Sequence, residues 1–491
     1  MSVALQVGII VGYLILALLV GVYAYRLTDR TAEDFYLASR TLGTVVLLFT
    51  TFATLLSAFT FFAGPNIAYA NGPEWILVMG LMDGIVFAIL WYVIGYKQWL
   101  LGRQYGYVTV GEMLGDRFGS RYLRGLVAGV SLLWLFPYVM LQQVGAGTAL
   151  EALTEGAIPY SVGAGLITLF MIVYVVLAGM RGIAWTDTLQ GAFMLVMTWV
   201  ALLWVLVAIG GPSAATATLA DSAETAGFLS LGGDFYTPQW MLSTAITIGF
   251  GVALFPQVNQ RFFAAGSRKV LKRSLALWPI LCVLLFVPAF MLGSWAAGLE
   301  LSVPAGDNVL PVILAEYTPT WLAALVIAGA MAAMMSSSDS MLLSGSSYFT
   351  RDLYRPFIDG SISDHREDLI ARVGVVLFAT AAFVASLYNP ATLFEIGDAA
   401  FSGFAQLALP LMVALYWRGT TRAGITAGIA ASQTFYLASL FTAIFPATYA
   451  GWTPGVVGMA IGLALTVGVS LVTTPATDER RARYFEGVGG D

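Results

Sequence analysis

Charge is what this chain has least of. Asp, Glu, Lys and Arg make up 10% of its 491 residues, against roughly 25% in an ordinary soluble domain. So few charges cannot clothe a soluble surface, which excludes a soluble enzyme, a nucleic-acid binder and a disordered scaffold. The net charge of −5 offers no basic patch for nucleic acid. Cysteine and histidine are almost missing as well. One of each, Cys282 and His365, excludes a disulfide framework, a Cys/His metal site and a Ser-His-Asp triad. His365, in SDHRED, reads as a solvated loop residue.

What is present is hydrophobic, 59% of the chain. Uncharged apolar runs of about 20 residues, enough to cross a bilayer as helices, recur thirteen times. They lie near 5–25, 44–70, 77–100, 122–150, 160–179, 185–210, 239–262, 274–298, 321–347, 370–388, 396–417, 422–445 and 454–474. The 23 basic residues occupy only alternate connections. Arg26, Arg30 and Arg40 follow the first run, and Lys97, Arg103, Arg117, Arg121 and Arg124 the third. Arg181 follows the fifth, and Arg261, Arg268, Lys269, Lys272 and Arg273 the seventh. Arg351, Arg355, Arg366 and Arg372 follow the ninth, Arg418 and Arg422 the eleventh, and Arg480, Arg481 and Arg483 lie in the tail. By the positive-inside rule this multi-pass chain has its N-terminus outside the cell membrane and its C-terminus in the cytoplasm. The first run is too long, and lacks the basic leader, to be a cleavable signal peptide, so it is expected to stay as an anchor.

Irregularities inside the spans point to a site. A helix in lipid must satisfy its own backbone, so breaks survive only where they are buried in protein or line a cavity. The second run combines small and hydroxylated positions (Ala53, Thr54, Ser57, Ala58, Thr60) with Gly64-Pro65, and the seventh is interrupted by Gly249, Gly251 and Pro256. Each would open one five-helix half of the molecule, and interruptions at matching places in two halves mark a midplane binding site.

Polar clusters within the spans sharpen this. In the ninth run, MAAMMSSSDSMLLSGSS, Ser336, Asp339 and Ser340 share a helix face at i, i+3 and i+4, with Ser337 beside them. Converging hydroxyl and carboxylate oxygens suit a dehydrated hard cation. Asp187 in WTDTLQ lies six residues after Arg181. It reads either as an intramembrane functional carboxylate or as a first-turn aspartate held by the helix dipole and Arg181. Asp83 and Asp398 are lesser candidates, and Glu395 reads as an outer-surface charge.

These residues carry a resemblance. GMRGIAWTDTLQ, AAMMSSSDSMLLSGSSYFTRDLY, ALPLMVALYWRGTTRAG, DFYLASRTLG and PQVNQRFFAA, in this order-specific combination across nearly the whole chain, are similar to the sodium:solute symporter family. The resemblance implies an all-α polytopic membrane protein of the leucine-transporter type, two inverted five-helix repeats with one helix before and two after. The expected organisation is an anchor and loop at 1–43, a core at 44–417 (repeats 44–210 and 239–417), peripheral helices at 418–474 and a tail at 475–491. It also implies sodium as the coupling ion, bound by the carbonyls of Ala53, Leu56 and Ala333 and the hydroxyls of Ser336 and Ser337. A second cation position would match Asp187, Ser336, Asp339 and Ser340. Three roles are open to Asp339: strengthening that position, binding a proton, or pairing with a neighbour.

The solute position departs from the family's sodium/proline members, with Leu55 and Ala58 in the second run and Ile248 and Val252 in the seventh. Thr54, Ser57, Phe59, Thr60, Tyr138, Gln142, Gln143, Phe255 and Gln406 are left to line a small, largely apolar cavity with neutral hydrogen-bonders. The implied activity is import of a small organic solute by sodium symport, with the lipid bilayer and no obligate protein as partner. A proton-coupled symporter and an intramembrane aspartyl protease using Asp187 and Asp339 are the alternatives.

Overall fold

Apolar runs with no water to satisfy their backbone close it internally, and the result here is helical throughout. The computed structural model describes residues 3–25, 32–303, 308–388, 391–475 and 477–485, and every regular element among them is a helix. Arg26 and Arg30 lie outside the described residues.

The spans are α1 (Val3–Tyr25), α2 (Thr44–Leu55), α3 (Phe59–Asn71), α4 (Ile76–Tyr105), α5 (Arg121–Leu153), α6 (Tyr160–Leu177), α7 (Gly179–Ala208), α8 (Pro238–Ala253) and α9 (Pro256–Ala264). They continue with α10 (Arg268–Ala296), α11 (Thr320–Phe357), α12 (His365–Ser386), α13 (Leu393–Tyr416), α14 (Arg422–Phe441) and α15 (Pro454–Val472). Among the described residues, ten helices are long and apolar enough to cross a membrane singly, and α2 with α3 and α8 with α9 make two more as bent pairs. The expected run at 422–445 corresponds to α14, a 20-residue helix that carries buried Ser432 and Gln433 and is not among those twelve.

The first bend differs in position from the sequence expectation, and the second falls at the expected Pro256 but not at the glycines. Gly64 and Pro65 sit inside α3 with helical geometry, and the chain turns earlier, at Leu56 and Ser57, by 64°. Gly249 and Gly251 sit inside α8. There the break comes at Leu254 and Phe255, where Pro256 opens α9 and the axis turns by 53°. The two glycines serve close packing instead: a side chain at Gly251 would collide with the Phe401 carbonyl of α13.

Gly179 ends α6 and starts α7 at φ +60°, a conformation that favours a residue without Cβ. Arg181 is therefore already helical, and it reaches Asp34 at 2.6 Å. Asp187 lies two turns into α7, so the first-turn reading of this residue does not hold.

The basic connections gather at one end of the bundle. Arg40 donates to the carbonyls of Tyr107 (3.0 Å) and Phe263 (3.3 Å), and Arg117 donates to that of Trp417 (3.1 Å). Arg124 pairs with Asp352 at 2.7 Å, and Arg351 with Glu112 at 3.1 Å. The tail joins them: Tyr484 donates to the Met113 carbonyl at 2.7 Å. In the middle stands α11, 83% of its apolar stretch buried against 17% for the peripheral α1.

Candidate functional site

A helix that stops inside protein leaves carbonyls without intrahelical partners. At the end of α2 those of Ala53, Thr54 and Leu56 are taken by two serines of α11. Ser336 Oγ donates to Ala53 O at 2.8 Å. Ser337 Oγ lies 3.0 Å from Thr54 O and 2.5 Å from Leu56 O. Ser336 Oγ also lies 3.0 Å from Ala333 O in its own helix. The five groups expected to bind sodium thus meet in one place, fully buried. All are oxygens and none is a carboxylate, a donor set fitted to a monovalent hard cation. To coordinate a cation the hydroxyls would turn their hydrogens away from the carbonyls and the oxygens would part to admit it.

The residues expected to form a second cation position come together differently, around Arg261. Sequence reasoning counted Arg261 as a loop cation. The bend at Pro256 instead carries α9 back into the core, where this side chain is 0% exposed. Its Nη2 lies 2.8 Å from Asp187 Oδ2 and 2.7 Å from Ser340 Oγ. Thr50 Oγ1 accepts from Arg261 at 2.8 Å and donates to Asp187 Oδ2 at 2.6 Å. The guanidinium thus lies between two of the four expected residues, Asp187 and Ser340. Ser336 is turned to Ala53, and Asp339 Oδ1 is buried with no hydrogen-bond partner among the described residues. A local signal existed for Arg261, since Gln257, Asn259 and Gln260 beside it are polar residues in an apolar run, and all three are fully buried.

Next to the α2–α3 break lies a narrow cavity of about 20 Å³, room for about one water and far too little for an organic solute. Admitting an organic solute requires its walls to part. Phe59, Thr60 and Tyr138 line it, as do Leu55, Ile248 and Val252, at the positions that depart from the proline symporters. Ser57 Oγ and Tyr138 OH are 3.0 Å apart at its edge. Gln142 Oε1 accepts from the Ala58 amide at 2.9 Å and thereby holds the break. Phe255 packs on Tyr138 at 5.0 Å between ring centres, and Thr54 Oγ1 is buried without a partner among the described residues. Two expected residues point elsewhere. Gln143 donates to Thr168 and the Ala379 carbonyl, and Gln406 to the carbonyls of Ser402 and Gly455. Glu395 belongs to a capping box with Thr392 at the start of α13. Asp83, a lesser candidate in the sequence, is the carboxyl that lines the cavity.

Comparison with known proteins agrees with this architecture. The description "Sodium:solute symporter family" matches residues 35–432. The sodium/pantothenate symporter of Escherichia coli (strain K12) is 30% identical over 467 residues, 94% of this chain and 95% of that one. The sodium/proline symporter of Haemophilus influenzae (strain ATCC 51907 / DSM 11121 / KW20 / Rd) is 27% identical over 85% of this chain and 84% of its own. Among solved structures, a substrate-bound, outward-open Na+-coupled sialic acid symporter superposes with a TM-score of 0.79 at 22% identity, over 96% of this chain and 99% of that one.

Proposed function

The chain belongs to the sodium:solute symporter family and is a sodium-coupled symporter rather than an enzyme; from that premise we propose that it imports a small organic solute across the plasma membrane, one sodium accompanying each turnover. The sodium would be held by the carbonyls of Ala53, Leu56 and Ala333 and the hydroxyls of Ser336 and Ser337. The observation that carries this reading is the contact of both serine hydroxyls with carbonyls freed by the α2 break. An ion there ties α2 to α11. Sodium arriving from outside would steady the break beside the solute cavity, and its loss to the cytoplasm would loosen α2 from α11 and release the solute.

Leu56 belongs to both places, lining the cavity and offering its carbonyl to the ion set. Binding of either ligand therefore orders the same turn of chain, and the coupling is reciprocal: solute tightens sodium by the factor by which sodium tightens solute. Arg261 supplies the positive charge beside Asp187, which supports one sodium rather than two. The basic connections gathered at one end support a cytoplasmic C-terminus. The pantothenate and proline relatives suggest small carboxylates and amino acids as the first solutes to try. In proteoliposomes an inward sodium gradient should drive uptake and a pH gradient alone should not; the reverse result would favour proton coupling.

A further inference from the structure

We propose that Asp83 selects the solute by its protonated amine, so that the transported compounds are small amine-bearing molecules such as amino acids. The inference deepens the symport reading and rests on it for the location of the solute.

Asp83 is 7% exposed, and its Oδ1 has no hydrogen-bond partner among the described residues. None of the side chains lining the cavity with it is basic, and Arg261 is committed to Asp187. An unsatisfied polar atom in such a place is costly, more so when charged, and the cost is relieved when a solute brings the missing donor. Gly249 packs closely on this side: a Cβ there would crowd Val86 and lie 3.4 Å from Asp83 Oδ1.

The walls choose among donors. Phe59, Trp278, Phe286 and Phe401 line the same cavity, and aromatic faces attract a cation in a desolvated site. An ammonium group satisfies the carboxylate by hydrogen bonds and by charge, whereas a hydroxyl satisfies it by a hydrogen bond alone. A solute carboxylate is repelled from Asp83. Its favourable place is by the Ser57–Tyr138 pair and the sodium set reached through Leu56.

The test uses the purified full-length protein and matched solutes. L-Alanine, β-alanine and 4-aminobutyrate are each compared with the corresponding hydroxy acid and unsubstituted acid, with L-proline and pantothenate added. Thermal stabilisation is read in sodium and in potassium. At least one amine should stabilise the protein in sodium, its amine-free counterparts binding at least about tenfold more weakly. Asp83→Asn should lower affinity for that amine at least about tenfold while keeping the stabilisation by sodium alone, which certifies the fold. Binding of pantothenate or another amine-free acid as tightly as any amine would overturn the proposal. So would an Asp83→Asn variant that binds within about twofold of the parent, or a panel in which no amine binds. An amine that binds through Asp83 but is not carried by a sodium gradient would overturn the symport reading instead, leaving the Asp83 assignment standing.

Discussion

Arg261 Nη2 stands 2.8 Å from Asp187 Oδ2, with both side chains closed to solvent. Removing one partner of such a pair strands the other charge, at a cost of about 3–5 kcal/mol. Arg261→Ala should therefore lower the melting temperature sharply. Replacing both partners by apolar residues, Arg261→Met with Asp187→Leu, should restore much of the loss. Thermal denaturation of the parent and the two purified variants checks this. Equal destabilisation by single and double changes would contradict the pairing.

A cation supplied by the protein at Asp187 has a consequence for transport. Initial uptake against sodium concentration should follow a Hill coefficient near one. A coefficient approaching two would show that a second sodium binds in spite of Arg261.

Much of this was legible in the sequence, for identifiable reasons. Spans are legible because hydrocarbon tolerates so little charge, and the serines of α11 stand out against MAAMM and MLLSG. The bend at Pro256 carries a physical signal, since proline cannot continue the preceding ladder. The bend at Leu56 and Ser57 carries none of that kind; it exists because Ser336, Ser337 and Gln142, distant in sequence, take over its backbone groups. Arg261 was misplaced for the same reason, its partners lying on α2, α7 and α11. Nothing in the span of Asp83 reveals that the neighbouring helices leave its Oδ1 without a donor among the described residues. Gln143 and Gln406 are polar residues in a span at plausible depth whose amide N–H groups already donate to other helices.

Close contact between α8 and α13 depends on Gly251, where a methyl group would meet the Phe401 backbone. Overpacking of this kind costs about 1–3 kcal/mol, and it falls where Phe401 lines the cavity. Gly251→Ala should lower both the melting temperature and the uptake rate. Gly12→Ala, with open space around the position, is the control and should change neither.

The described part of the tail is anchored. Tyr484 is 2% exposed, with its hydroxyl 2.7 Å from both the Met113 carbonyl and Tyr107 OH. Burial pushes that hydroxyl's pKa far up, and the neighbouring Tyr107 adds to the effect. Tyr484→Ala, losing about 3 kcal/mol of local packing, should free the short helix Asp478–Phe485 to limited proteolysis. Cleavage no faster than in the parent would show that other contacts hold it.

The central claim is that sodium binds between the α2 break and α11, and a sodium titration of thermal stability tests it most directly. In the parent protein, stability should rise with sodium by about 1.4 kcal/mol per tenfold above the dissociation constant, and potassium should not substitute. The Ser336→Ala, Ser337→Ala double variant leaves buried carbonyls unpaired and should start about 1–3 kcal/mol less stable. Still folded, it should show no stabilisation by sodium and no sodium-driven uptake. A folded double variant whose stability climbs with sodium as steeply as the parent's would contradict the account.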